Sequence, residues 1–485
     1  MAELKIKQID EFKWELPCEA DMHVPGIIYA DRRMMEQLQK DESLKQVRNV
    51  ATLPGILNAS IAMPDIHAGY GFPIGGVGAF DVENGIISPG GVGYDINCGV
   101  RLLRTDIPKD SVLNTQKDTL SELINTLFHN IPSGVGSSRK DTKFSSAELD
   151  NIALKGAKQI IAYGYGFPED LEYIEENGAI EGANPDNVSK QAKERGHDQL
   201  GTLGSGNHFV EVGFVEEIYD QGVAEAFGLK KDNITILIHT GSRGYGYQIC
   251  DDYIRLFQEY ASKHHIVLPD RQLVWAYFES KEGQQYFSAM NAAANFAFAN
   301  RQLITHWIRE SFEKIFKEDA KRLGIYIVYD VAHNIAKKEV YTVKGKQKTL
   351  IVHRKGATRA FPAGHTGVPK VYAKIGQPVL IPGDMGRYSY VLVGTEQTIK
   401  ETFGTVCHGA GRLMSRGQAI RSSKGRQIVN ELKEKGIIVR GATRATINEE
   451  IPEAYKDVAN VVEIVEGAGL AKKVAKLHPL GVIKG

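Results

Sequence analysis

Asn233-Ile-Thr-Ile-Leu-Ile-His239 and Gly324-Ile-Tyr-Ile-Val-Tyr-Asp-Val-Ala-His333 are two short β-rich runs, each bounded by turn residues and each closing on a histidine. Runs of this length and composition predict strands. Further strands are expected at 56–63, 208–212, 349–353 and 378–393. Helical spacing is readable at 31–47, 145–163 and 281–323, the last broken once, where Tyr286, Met290, Ala293, Phe296, Ala297 and Ile304 recur on one face. A fourth helix is expected over 411–435, opening after a Gly-rich turn and ending at Gly436. Strands and helices intermix without strict βαβ alternation, so the fold class is α+β, with mixed β-sheets in layers flanked by helices. No linker, repeat or low-complexity tract divides the 485 residues, which predicts one catalytic domain over 1–485 with a helical segment inserted near 250–325.

Composition narrows the function classes. Lys plus Arg number 59 and Asp plus Glu also 59, so an anionic ligand must be met by a local patch, not a global field. At 42% apolar and 24% charged residues, the chain can bury a large core. No stretch has the ~18 apolar residues of a membrane span. The opening residues, MAELKIKQIDEFKWEL, lack the apolar core of a signal peptide. Cys18, Cys98, Cys250 and Cys407 form no CxxC pair, against a disulfide scaffold or zinc ribbon. A soluble cytoplasmic enzyme is expected. Glycine is the outlier: 50 residues, clustered at 69–78, 85–104, 201–206, 241–246, 404–411 and the last twenty positions. Such clusters suit functional loops on one scaffold.

The histidines carry the chemistry. His239 and His333 end strands. His208 follows the glycine turn 201–206, and His408 lies in Val406-Cys-His-Gly-Ala-Gly-Arg412, at the expected start of a helix. A lone histidine at a strand end is more often structural. Four in Gly-rich turns point to one shared site, because strand ends hold side chains rigidly. In Ser88–Arg101 (SPGGVGYDINCGVR), Asp95 and Cys98 sit three apart in a tight loop, and carboxylate, thiolate and imidazole all ligate metals. One thiolate among imidazoles can bridge two ions. Softness alone favours zinc over manganese, so residue type leaves the metal open. Asp65 and His67 form a further pair of donors. Backbone N–H groups in Ser205–His208, Pro382–Arg387 and His408–Arg412 can cradle phosphate, the last at a helix N-terminus. None is a Walker A loop. Arg243, Arg412 and Arg416 offer forked donors to phosphate.

Together these motifs resemble the RtcB family of tRNA-splicing RNA ligases. The resemblance runs through DIHAGYGFPIGGV (65–77), GGVGYDINCGVR (90–101), GTLGSGNHFVEV (201–212), HTGSRG (239–244), DVAHN (330–334), RKGATRAFP (354–362), PGDMG (382–386), HGAGR (408–412) and PLGVIKG (479–485). It implies an RtcB-like fold around a central metal site. It also implies a GTP- and Mn²⁺-dependent ligase that joins RNA ending in 3′-phosphate or 2′,3′-cyclic phosphate to 5′-hydroxyl RNA, tRNA halves among them. Under it Asp95, Cys98 and His208 hold one Mn²⁺, and Cys98, His239 and His333 a second. His408 is the nucleophile that takes GMP. Asn207, Glu211, Asn334, Ser389, Gly409, Ala410, Gly411, Tyr455 and Lys484 surround the guanylate, and Arg243, Arg412 and Arg416 meet RNA. An archease-type activator comes with the family in some lineages. The rival reading is a dinuclear metal-dependent phosphoesterase without nucleotide, in which His408 orients water. A non-enzymatic RNA-binding factor with a structural metal fits less well, since such sites commonly use three or four cysteines.

Overall fold

Both histidine-tipped runs enter one eight-stranded sheet, on either side of Gly99–Pro108. Its order is Tyr326–Ala332, Gly99–Pro108, Asn233–Thr240, Phe209–Ile218, Ala471–Lys484, Ser389–Gly394 and Pro378–Ile381, with Ile438–Gly441 adding in parallel to Ala471–Lys484. The structure, a computed structural model, describes residues 4–115, 118–134, 136–139 and 142–485, so residues 1–3 of the charged opening stretch lie outside it. Consecutive side chains of a strand point to opposite faces. Accordingly Ile234, Ile236 and Ile238 enter one core with the helices, whereas Leu237 enters the other, beneath the second sheet. His239 shares the face of Leu237. The chemistry therefore faces the layer between the sheets, and the burial of three isoleucines, about 1.5–3 kcal/mol each, secures the strand from behind.

The second sheet has seven strands among the described residues, in the order Lys7–Gln8, Lys13–Leu16, Gly26–Tyr29, Ser60–His67, Ile74–Asp81, Lys346–Lys355 and Asn334–Val343. Gly26–Tyr29 and Ser60–His67 pair in parallel and the rest antiparallel, so this sheet is mixed too. The helical layer centres on Lys281–Phe316. Its buried alanines at 289, 292, 293, 294, 297 and 299 allow close approach of Arg243–Lys263, Thr119–Asn130 and Ser146–Lys155. The α+β layering is as expected.

Several boundaries differ from the sequence reading. The helix expected at 31–47 is two, Arg32–Leu38 and Ser43–Val50, because Asp41 accepts the N–H of Ser43 at 2.7 Å and turns the chain. That at 145–163 divides at Gly156 (φ +57°) into Ser146–Lys155 and Ala157–Ala162; a Cβ there would lie 2.1 Å from the Gly178 oxygen. The break expected within 281–323 is absent. The helix runs unbroken to Phe316 and stops at Lys317, which is left-handed. The run 378–393 is a hairpin, folded back through Pro382–Gly383, and the strand expected at 56–63 begins only at Ser60. Residues 411–415 are not helical. Helices Arg416–Ser422 and Ile428–Glu434 replace the expected one, since Gly411 and Gly425 adopt positive φ. His408 thus opens a loop, and the helix N-terminal phosphate site expected there is absent.

Candidate functional site

Antiparallel pairing explains why distant residues meet. Gly99 pairs with both Ala332 and Thr240, and Phe209 pairs with His239. Cys98 and His208 precede their strands, while His239 and His333 close theirs, so all four fall at the same end of four adjacent strands. The loop holding Asp95 is locked to them. Cys98 N–H donates to the Asp95 oxygen at 2.9 Å, His333 N–H to the Cys98 oxygen at 2.9 Å, and Asn97 N–H to the Asn334 oxygen at 2.7 Å. Asn334 Nδ2 donates back to the Asp95 oxygen at 3.2 Å.

The helical layer supports the same loops from below. Asp330, fully buried, accepts from Arg101 at 2.6 Å and Arg301 at 2.8 Å. Arg301 also donates to the carbonyls of Asn97 and Thr240, both at 2.9 Å. Asn300 accepts from the N–H of Gly201 at 2.8 Å.

Among the described residues, two groups of donor atoms are spaced to hold an ion: Asp95, Cys98 and His208, and Cys98, His239 and His333. The Cys98 sulfur lies 3.4 Å from His208 Nε2 and 3.3 Å from His239 Nε2, which is itself 3.3 Å from His333 Nε2. Burial holds His239 and His333 well below the usual imidazole range, with neighbouring histidines adding to it, so both rings are neutral and offer lone pairs. His208 Nδ1 sits 3.1 Å from the Leu203 oxygen, which fixes its proton there. Its Nε2 lies 2.8 Å from Asp95 Oδ2. Burial resists ionisation of Asp95, but His208, Cys98 and Arg243 together outweigh it and bring the carboxyl to about 2. So many acceptors this close require protons or cations between them. The two donor groups overlap at the Cys98 sulfur, and since burial pushes that thiol up, a bound ion would have to displace its proton.

His408 lies beside this cluster, its ring 4.6 Å from that of His333. It follows the short strand Thr405–Cys407, which pairs with Ala357–Arg359, and Ala357 in turn bonds the His333 carbonyl. Behind it stands Asp65, fully buried, whose Oδ2 accepts from His408 N–H at 2.9 Å and lies 2.6 Å from Nδ1. Only glycine fits at 411, where φ is +74° and a Cβ would stand 2.2 Å from the Asp65 oxygen. His67 bonds the Asp65 carbonyl at 2.9 Å, and burial lowers it to about 4.

These groups open into a cleft of about 660 Å³. Its lining includes Asn207, Glu211, Asn334, Gly409, Ala410, Gly411, Arg412, Arg416, Tyr455 and Lys484. Burial and Asp384 push Glu211 up to about 8, against Lys484 and a hydrogen bond with Ser389. The chain's last strand is ordered, and Lys484 is buried with Nζ 3.6 Å from Glu450. Ser389 and His208 sit behind the lining. Arg243 is not in the lining either; it bonds Thr202 at 3.3 Å and packs under Gly204. Arg412 is spent within the protein, on Glu450 at 3.0 Å and Tyr455 at 2.9 Å. Arg416 is 57% exposed and lies 3.9 Å from both Glu449 and Glu450, a loose pairing at the cleft rim.

Two residues escaped the sequence reading. Asp65 was noted only as a donor near His67, and nothing in the chain links it to His408. Glu450, which gathers Arg412, Tyr455 and Lys484, sits in a plain acidic pair without a motif.

Fold and site define a class: layered α+β proteins with a metal-competent Asp/Cys/His cluster at one sheet end, inside a cleft. Comparison narrows it. A family model described as tRNA-splicing ligase RtcB matches residues 46–485, and the chain belongs to that family. It is 54% identical to the tRNA-splicing ligase RtcB of Thermococcus kodakarensis over 99% of each chain. It is 52% identical to that of Archaeoglobus fulgidus, again over 99% of each. With that of Aeropyrum pernix it shares 51%, over 99% of this chain and all of the relative. Among the described residues no helix is long and apolar enough to cross a membrane.

Proposed function

We propose that this chain is an RNA ligase of tRNA splicing and RNA repair, joining 3′-phosphate or 2′,3′-cyclic phosphate ends to 5′-hydroxyl ends with GTP through a GMP–histidine intermediate. The observation that carries this reading is His408, placed against His333 and backed by Asp65. With Nδ1–H held by Asp65, Nε2 keeps its lone pair. His408 Nε2 attacks the α-phosphorus of GTP; an N–P bond forms, the bond to the bridging oxygen breaks, and pyrophosphate leaves. Asp65 offsets the positive charge that grows on the ring. An oxygen of the RNA 3′-phosphate next attacks the same phosphorus, breaking the N–P bond and restoring His408. The 5′-hydroxyl then attacks the activated 3′-phosphate, loses its proton and releases GMP. A cyclic end is first opened by water to a 3′-phosphate.

Asp95, Cys98 and His208 would hold one Mn²⁺, and Cys98, His239 and His333 a second. Such ions neutralise charge on attacking and leaving phosphate oxygens. Glu211, as carboxylate, accepts from the guanine N–H donors. Asn207, Asn334, Ser389, Gly409, Ala410, Gly411, Tyr455 and Lys484 complete the guanylate site. Arg416, exposed at the cleft rim, serves the RNA phosphates, whereas Arg243 and Arg412 are held by Thr202 and by Glu450 and Tyr455 and shape the site. We read residues 1–485 as one catalytic domain, with 250–325 its helical insertion. A cytoplasmic location and an archease-type activator belong to the same reading.

The test is intact mass after incubation with GTP and Mn²⁺. An acid-labile GMP adduct on the His408 peptide is expected. No adduct on metal-loaded protein would favour the phosphoesterase, and cyclic-phosphate opening without GTP would then establish it.

A further inference from the structure

The rim of the cleft on the Asp95 side is aromatic. Tyr94 directly precedes Asp95, and its ring stacks on Tyr247 with centroids 4.7 Å apart and planes at 24°. Tyr70 meets Tyr94 edge-on at 5.5 Å. Tyr70 and Tyr94 line the cleft, while Tyr247, on helix Arg243–Lys263, keeps 45% of its surface exposed. Arg195 sets its guanidinium 5.3 Å from the Tyr247 ring centre.

A ring row that serves only packing would be covered. This one leaves Tyr247 open, at 45% exposure. Aromatic rows beside an arginine suit unpaired nucleotides, because every base has a π-face and the arginine can meet the intervening phosphate. Of the two carboxylates nearest the rings, one is offset by an arginine. Asp251 is paired with Arg255 at 2.6 Å, and Asp270 accepts the Gln272 N–H at 2.8 Å.

We propose that Tyr70, Tyr94 and Tyr247 form a stacking platform for the unpaired terminal base of the 3′-phosphate RNA, with Arg195 at an adjoining phosphate. The platform steers the terminal phosphate past Asp95 into the cluster. This rests on the ligase reading and adds the means of holding a single-stranded end of any sequence.

The test measures binding of the full chain, with Mn²⁺, to two short single-stranded RNAs ending in 3′-phosphate. One is intact and the other lacks its terminal base. Wild type should bind the intact RNA about tenfold more tightly, as expected for one stacked base. Tyr247→Ala should lose about the same factor on the intact RNA and cease to distinguish the two, and Tyr247→Phe should restore both behaviours. Tyr247 is exposed, so the fold should survive, which an unchanged melting temperature checks. Equal binding of the two RNAs by wild type, or undiminished discrimination in Tyr247→Ala, overturns the platform while leaving the ligase reading intact. Wild type that holds neither RNA would sink the ligase reading and the platform with it.

Discussion

His408 Nδ1 lies 2.6 Å from Asp65 Oδ2, and the same oxygen accepts the backbone N–H of His408 at 2.9 Å, although 343 residues separate the two. One carboxylate oxygen thus fixes both the position and the tautomer of the imidazole. Asp65→Asn keeps the shape but offers no charge, and its amide can turn an N–H toward the ring. Rotated so, it favours the tautomer whose proton sits on Nε2, the atom needed for attack. The rate of GMP attachment should fall about 10²–10⁴-fold. Metal content should not change. Adduct formation followed by mass, beside elemental analysis of the same sample, separates the two; a wild-type rate would remove Asp65 from the mechanism.

Metal and nucleophile occupy adjacent but separable positions. Cys98 belongs to both donor groups, whereas His408 belongs to neither. Cys98→Ala should therefore weaken metal binding by at least the roughly 10–100-fold seen for lesser changes around metal sites, and lose every later step. His408→Ala should bind metal normally and form no adduct. Ligation retained by either purified variant would contradict these roles.

What was legible before the structure follows from where the information lies. Strand ends are local: Asn233 to His239 and Gly324 to His333 read as β-rich runs stopped by a histidine, and the donors they carry do converge. Asp65 was opaque because its partner is brought to it by the pairing of Ala357–Arg359 with Thr405–Cys407, a contact no periodicity encodes. The helix wrongly expected over 411–435 failed on single residues. Its propensity is ordinary, but Gly411 must turn left-handed to clear the Asp65 carbonyl. Helix Lys281–Phe316 was read for its apolar stripe, yet Asn300 and Arg301 on it hold the site loops. A polar residue within an apolar helix gives no sign of its partner until sheet and helix are docked.

The buried triad of Arg101, Arg301 and Asp330 gives a stability prediction. Arg301 is fully buried and joins Asp330 to the carbonyls beside Cys98 and His239. Arg301→Ala removes those donors and leaves two carbonyls unpaired, so it should cost about 3–5 kcal/mol. The denaturation midpoint should fall, and metal affinity should fall with it because both loops loosen. A variant of wild-type stability would mean that water replaces the guanidinium without loss.

Glu211 makes the nucleotide step sensitive to pH. Burial, then Asp384, raise its carboxyl to about 8. Below that value the group is protonated in the free protein, yet accepting guanine N–H donors requires the carboxylate. Binding must then expel a proton, which weakens affinity about tenfold for each unit below the folded pKa. Affinity for a GTP analogue with a non-cleavable α–β bridge should therefore rise between pH 6 and pH 8 and level off above it. The proton release should also appear as a buffer-dependent binding enthalpy. Glu211→Gln carries no titrating group and should give a flat profile with reduced preference for guanine over adenine. The sign for the fold is opposite. The unfolded carboxyl titrates near 4.5, so the folded chain retains its proton longer, and this group's contribution to stability is present below that value and lost as pH rises toward 8. Calorimetry across pH 6 to 9 on wild type and Glu211→Gln decides it: a wild-type affinity that does not change between pH 6 and 8 would exclude Glu211 as the carboxylate that reads guanine.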